Sequence, residues 1–284
     1  MTLSFRFGTV GSPMGTPKKP GGSVGAVLFS REIGLGALEL GWVRSVRVSE
    51  KTCAEIRQTA FDQDVALSVH APYYINLNAD DTEWPKSRKR LMDAAYFGNL
   101  AGVTDVVFHP GSYFERAPED VLKVALPRLQ GCVDELRAMD NPVILRPETM
   151  GKSAMLGSLD DTLVMAQEIP GVQPCIDFAH LHARPGDGTM NSYDEWAAQL
   201  ERYGNALGQD ALKRLHTHLS GIEYTAKGEK NHLTMDTSDF KLRELFRALH
   251  DFGCGGRIMC ESPIMEEDAL YFKQVWMEVS GETE

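Results

Sequence analysis

Ionisable side chains stand where apolar runs stop along this 284-residue chain. His70 closes Ala66-Leu67-Ser68-Val69-His70, and His109 closes Asp105-Val106-Val107-Phe108-His109. Glu148 follows Val143-Ile144-Leu145-Arg146-Pro147, and Asp177 lies in Cys175-Ile176-Asp177. His216 and His218 end the run at 213–219, and Glu261 ends Ile258-Met259-Cys260-Glu261. Packing does not explain so many polar stops, because burying several unpaired charges together would cost many kcal/mol. A shared metal cluster removes that cost. Imidazole mixed with carboxylate suits zinc, and such sites also take manganese or iron. Two ions roughly 3.5–4 Å apart can clamp the attacking and leaving oxygens of a phosphodiester, and water activated to a pKa of about 7 supplies a nucleophile. Phase ranks the candidates: His216 and His218 face one side of a strand, as do Cys175 and Asp177. The residue nearer the strand end reaches the cluster, which selects His218 and Asp177 and leaves His216 and Cys175 in the layer below. Downstream, Asp177-Phe178-Ala179-His180-Leu181-His182 and Gly228-Glu229-Lys230-Asn231-His232 offer further ligands on loops.

Such a convergence needs elements that bring distant strand ends to one face. The sequence pattern predicts strands at 4–9, 38–48, 66–71, 105–110, 142–147, 173–178, 213–219 and 257–261. Helices are predicted at 50–63, 87–101, 118–139, 159–169, 193–206, 238–252 and 267–279. Segment 24–35 reads more weakly, since Gly25 and Gly34 cost helix stability. Ser49, Ser158, Ser192 and Ser238 supply N-cap chemistry, with acidic first turns after them. Eight strand-helix units without a composition break predict one (β/α)₈ barrel over residues 1–284, a single domain of the TIM type with its active face at the strand C-termini. A doubly wound open sheet is the alternative. It would carry a Gly-rich dinucleotide turn after its first strand, and Gly8-Thr9-Val10-Gly11-Ser12-Pro13 lacks that pattern.

Composition bounds the rest. Five cysteines without a C-x-x-C pair read as reduced thiols. No apolar run approaches the roughly 20 residues of a membrane helix, and Met1-Thr2-Leu3-Ser4-Phe5-Arg6 lacks signal-peptide character, so a cytoplasmic protein is expected. A net charge of -11 argues against a generic nucleic-acid binder. Three bound divalent ions would move it to -5, so global charge decides little.

Five segments in order, Val69-His70-Ala71-Pro72-Tyr73-Tyr74-Ile75-Asn76-Leu77, Phe108-His109-Pro110-Gly111-Ser112, Cys175-Ile176-Asp177-Phe178-Ala179-His180, His218-Leu219-Ser220 and Cys260-Glu261-Ser262-Pro263, carry a resemblance. The chain resembles the endonuclease IV type of apurinic/apyrimidinic (AP) endonucleases, zinc-dependent barrels of base excision repair. That resemblance implies two or three zinc ions, with manganese or iron as possible replacements. His70 and His109 would hold the first, Glu148 would bridge to a second completed by Asp177, His218 and Glu261, and His180 would hold a third with Glu229 and His232. It implies a metal-bridging hydroxide that attacks the phosphate 5′ to an abasic site in double-stranded DNA. Glu148 and Glu261 are the catalytic carboxylates in that scheme, with Glu261 helping to activate the water. Tyr73 would enter the DNA beside the flipped abasic site. Lys18, Lys19 and Gly22, in the Pro/Gly-rich loop after the first strand, would meet phosphates; Arg44 and Lys86-Ser87-Arg88-Lys89-Arg90 are further candidates. A monomer is expected. One departure stands out: the family's third-zinc loop offers Asp-x-His, whereas Glu229-Lys230-Asn231-His232 has a longer acid and one extra residue, which leaves His182 or His216 as substitutes.

Two other functions fit the same barrel, since fold does not fix activity. A metal-dependent sugar isomerase or epimerase would use one or two ions in carboxylate-rich shells, and the surplus histidines His180, His182 and His232 disfavour it. A damaged-DNA binding protein without turnover is the non-enzymatic reading, motivated by the altered third loop.

Overall fold

Apolar runs alternate with amphipathic stretches, so each run buries itself as a parallel strand and the next stretch covers it as a helix. The computed structural model describes residues 4–283. In chain order it contains β1 (Phe5–Val10), α1 (Gly22–Glu32), β2 (Ala37–Gly41), α2 (Glu50–Gln63), β3 (Ala66–His70), α3 (Trp84–Leu100), β4 (Asp105–Phe108), α4 (Pro118–Ala138), β5 (Ile144–Pro147) and α5 (Leu159–Glu168). Then follow β6 (Ile176–Asp177), α6 (Phe178–Ala183), α7 (Tyr193–Leu207), β7 (Leu215–Leu219), β8 (Gly221–Thr225), β9 (Gly228–Leu233), α8 (Leu242–Asp251), β10 (Gly256–Cys260) and α9 (Glu266–Ser280). Eight of these strands are parallel neighbours in the order β5-β4-β3-β2-β1-β10-β7-β6. Parallel bridges Leu145–Val172 and Glu148–Cys175 join β5 to the stretch entering β6 and close the circle. This is the expected TIM barrel.

Helix ends follow local chemistry. Ser158 with Asp161 and Ser192 with Glu195 form capping boxes that start α5 and α7, and Ser49 accepts from the Thr52 amide at α2. The weakly read 24–35 segment is α1, in which Gly25 serves packing: a Cβ there would lie 1.9 Å from the Pro20 carbonyl oxygen. Three predicted elements differ. The strand expected at 38–48 ends at Gly41, and the one at 173–178 keeps only Ile176–Asp177. The helix expected from 238 begins at Leu242, because the Ser238 hydroxyl accepts from the amides of Ile222 and Phe240 instead of capping. The antiparallel hairpin β8–β9 was expected as a loop.

Apolar packing lies between strands and helices, where two large clusters bury residues such as Val69, Val106 and Leu129 on one side and Phe7, Trp196 and Trp276 on the other. The axis is different. Barrels of this type fill their interior mainly with Val, Ile and Leu, but here ionisable groups stack along it. Lowest, Arg146 Nε donates to Asp105 Oδ1 at 2.5 Å, and Arg257 Nη1 lies 3.1 Å from Asp105 Oδ2. Above them, buried Glu39 accepts from Ser68 Oγ at 2.7 Å and His216 Nε2 at 2.8 Å. Burial pushes the His216 imidazole down to about 4, so it is neutral and donates from Nε2.

Candidate metal centre

At the C-terminal mouth the strand ends, α6 and the β8–β9 hairpin place nine side chains in three groups. His70, His109 and Glu148 form one; Glu148, Asp177, His218 and Glu261 the second; His180, Glu229 and His232 the third. Within each group one potential ligand atom per residue lies within 4.8 Å of the others. Glu148 belongs to two groups and stands between them.

The surroundings of Glu148 define the chemistry. Its side chain is fully buried, and neither carboxylate oxygen has a hydrogen-bond partner among the described residues. Glu148 Oε2 lies 3.3 Å from both His70 Nε2 and His109 Nε2, and Oε1 lies 3.4 Å from His218 Nδ1. A charged hydrogen bond would be shorter, roughly 2.7–2.9 Å. Ligand atoms arranged tetrahedrally about 2.0–2.1 Å from zinc are separated by roughly 3.3–3.4 Å, which matches. Burial pushes the Glu148 carboxyl up, but the imidazoles of His218 and His109 outweigh it and hold the group well below the usual carboxylate range. Asp177 goes the other way: burial, aided by the negative charges of Glu148 and Glu261, raises it despite His180. Acids in such conflict gain most from a divalent cation, and the donor set fits one.

Outer partners orient the rings. His70 Nδ1 donates to the Ala71 carbonyl at 2.9 Å, which turns Nε2 toward Glu148. His180 Nδ1 donates to the Thr149 carbonyl at 2.9 Å, leaving buried Nε2 without a hydrogen bond and 3.5 Å from Glu229 Oε2. His218 has Nε2 3.0 Å from Glu39 Oε1, which leaves Nδ1 facing Glu148 and Glu261. His232 Nδ1 sits 2.6 Å from Ser220 Oγ. Such pairing fixes tautomer and angle at metal sites. Glu39 was absent from the sequence-derived candidates. Its one signal was a charge between Leu38 and Leu40 in an otherwise apolar strand.

The hairpin resolves the departure noted in the third loop. Two residues three apart should face opposite sides of a strand. Here Tyr224 pairs with Glu229 while Glu223 pairs with Asn231, a bulge that skips Lys230. Glu229 and His232 therefore return to one face, beside His180. The hairpin reaches this place because Gly151 admits it: a Cβ there would lie 2.6 Å from that of Glu229. Neither suggested substitute joins the group. Both His182 nitrogens are engaged, by the Thr189 carbonyl and Asp239, each at 3.0 Å, and His216 lies in the Glu39 layer.

Tyr73 stands half exposed at the rim, its ring stacked 5.1 Å from that of His109 and edge-on to His70. Burial of the hydroxyl, with Glu261 and Glu148 nearby, pushes it up to about 12. Lys18 and Lys19 are exposed in the loop after β1, and Gly22 opens α1 at φ +62°. No contact ties those three to the cluster among the described residues. Lys86, Arg88 and Lys89 are engaged with Glu83, Glu135 and Asp93, as a solvated helix face would be.

The chain is similar to several known proteins. An uncharacterised protein of Methanocaldococcus jannaschii is 38% identical over 274 residues, 96% of this chain and 97% of its own. Endonuclease 4 of Thermus thermophilus is 33% identical over 141 residues, which span about half of each protein, 47% of this chain and 49% of the relative. The crystal structure of endonuclease IV from Thermus thermophilus superposes with a TM-score of 0.71 at 23% identity, covering 98% of this chain and 100% of that one. A D-tagatose 3-epimerase-like protein superposes almost as well, at 0.69 and 18% identity over 91% and 96%. At those identities the superpositions show the fold alone. The sequence model of xylose isomerase-like TIM barrels matches residues 27–276, and the chain belongs to that family.

Proposed function

We propose that this protein is a metal-dependent endonuclease of the AP type, cutting the phosphodiester 5′ to abasic sites in double-stranded DNA. The observation that carries the reading is Glu148, buried and without hydrogen bonds, shared between two groups of histidines and acids at the barrel mouth. The partial match to an endonuclease 4 adds to it.

Zinc, or manganese or iron in the same donors, would be held by the three groups. When bound, such ions polarise a phosphodiester and lower the pKa of water. The chain's own residues set the stage for that chemistry. Glu148 draws the His70, His109 and His218 imidazoles together, and Glu39 keeps His218 turned so that Nδ1 faces the mouth. The Glu261 side chain, 14% exposed and 3.3 Å from His218 Nδ1, is open enough to accept a proton from an attacking water. Tyr73 stands beside His109 where a strand entering the mouth would pass. Lys18 and Lys19 would supply positive charge to the DNA backbone on the β1 side.

A duplex with one abasic analogue tests this. Metal-replete protein should nick it on the 5′ side, and chelation should abolish the cut. Glu261→Gln should lower kcat by roughly 10²–10⁴-fold, the range for losing a positioned proton acceptor. An intact duplex under metal-replete conditions, with isomerisation of a ketose instead, would assign the sugar enzyme.

A further inference from the structure

The opposite mouth, at the N-terminal ends of the strands, holds a second concave site. A pocket of about 480 Å³ is lined by Arg6, Arg146, Lys213, Arg214, Arg257 and Asp105. Five cations face one acid there, in a chain whose net charge is -11. Small-ligand pockets run from roughly 300 to 1,000 Å³, so the size suits a bound molecule.

The pairing does not balance. Arg146 and Arg257 share the single carboxylate of Asp105, at 2.5 and 3.1 Å. The Arg146 side chain is only 9% exposed; Nε goes to Asp105 and Nη1 to the Pro174 carbonyl, while Nη2 donates to no protein atom among the described residues. Arg257 Nη1 also donates to the Leu67 carbonyl, and Nη2 donates to Thr104 Oγ1. Burial lowers the Arg257 guanidinium below the ordinary value, with the charges of Arg146 and Arg6 adding to this against Asp105, whereas at Arg146 burial is outweighed by the Asp105 charge, which raises the group. Arg214 makes no ion pair among the described residues. At the rim, Arg6 and Lys213 hold exposed Asp64 and Asp210 at 2.9 and 2.8 Å, pairs that cost little to re-aim. Two guanidiniums sharing one carboxylate, Arg146 buried with Nη2 unspent and Arg257 partly exposed, form a fork for a tetrahedral oxyanion.

We propose that this pocket is an anion site for a phosphate group, free or carried as a monoester on a small sugar. No Phe, Tyr or Trp lines it among the described residues, and its one ring, the His216 imidazole, is buried and held by Glu39, so no exposed face there would stack a base. The site lies at the far end of the barrel from the metal groups and does not depend on their function.

Calorimetric titration tests it with sulfate, a tetrahedral oxyanion that coordinates divalent metals weakly, into metal-replete wild type and the surface variants Arg214→Glu and Lys213→Glu/Arg214→Glu. Wild type should show saturable binding that sodium chloride of equal ionic strength does not reproduce. The variants, folded by circular dichroism and with the wild-type metal stoichiometry, should bind about tenfold more weakly or worse, the effect of reversing one charged contact. Ribose 5-phosphate and inorganic phosphate then separate the sources: tighter binding of the ester assigns an organic phosphate, equal binding the free ion, and either keeps the site. Absence of saturable sulfate binding in wild type, or unchanged affinity in both variants, overturns the proposal.

Discussion

Which nitrogen is left free decides what the cluster can hold, and for four of its five imidazoles a different partner makes that choice: Ala71 for His70, Thr149 for His180, Glu39 for His218 and Ser220 for His232. Glu39 is the one ionisable partner among them. Glu39→Gln keeps the volume but removes the charge that holds His218 and His216. The variant should stay folded and lose roughly 10–100-fold in divalent-metal affinity, as expected when an outer partner of a ligating histidine is changed. Competition with a chromogenic chelator measures this, and unchanged affinity would remove Glu39 from the site. The strand-end residues were legible in the sequence because apolar packing gives no reason for an ionisable group to stop each buried run. Glu39, Asp105, Arg146 and Arg257 were not. Within a strand, a charge between apolar neighbours reads as facing water, and only closure of the sheet turns that face inward.

Among the elements, the two capping boxes and the helix faces could be read directly, because Ser-x-x-acid spacing and 3.6-residue periodicity are local. The hairpin β8–β9 could not. Its strands alternate weakly, Glu223, Lys230 and Asn231 are polar, and its turn uses Gly228 at φ +93° rather than an Asn-Gly pair. The bulge that aligns Glu229 with His232 is a property of pairing, invisible until both strands are in register. For α7 the cap makes a sharper statement. Hydrogen bonds from the Ser192 hydroxyl and the amides of Asn191, Met190 and Ser192 lower Glu195 to about 2, from an ordinary value of about 4.3. A depressed folded value means that this contribution is complete above about pH 5 and fades as pH falls from about 4 toward 2. Ser192→Ala should therefore cost about 1 kcal/mol at neutral pH. The difference from wild type in urea unfolding should shrink below pH 4. A difference that stays constant with pH would show that Glu195 takes no part in the cap.

Across the whole molecule, the barrel encloses a stack of polar groups wrapped in apolar packing: acids and imidazoles at one mouth, a neutral histidine beside Glu39 in the middle, guanidiniums at the other. The alternation of strand and helix made the closed fold legible, and the absent dinucleotide turn removed the open sheet. The ordering of charge along the axis was not legible, because it depends on which residues share a layer across strands far apart in sequence. In the proposed reading, cations complete the upper mouth. The direct measurement is a crystal structure of the purified protein with anomalous scattering recorded at the zinc, iron and manganese edges. Three ions are expected at the strand C-termini, one in each histidine-carboxylate group, with Glu148 contacting two of them. Density without any transition ion there, after growth and titration in metal, would contradict the proposed metal centre.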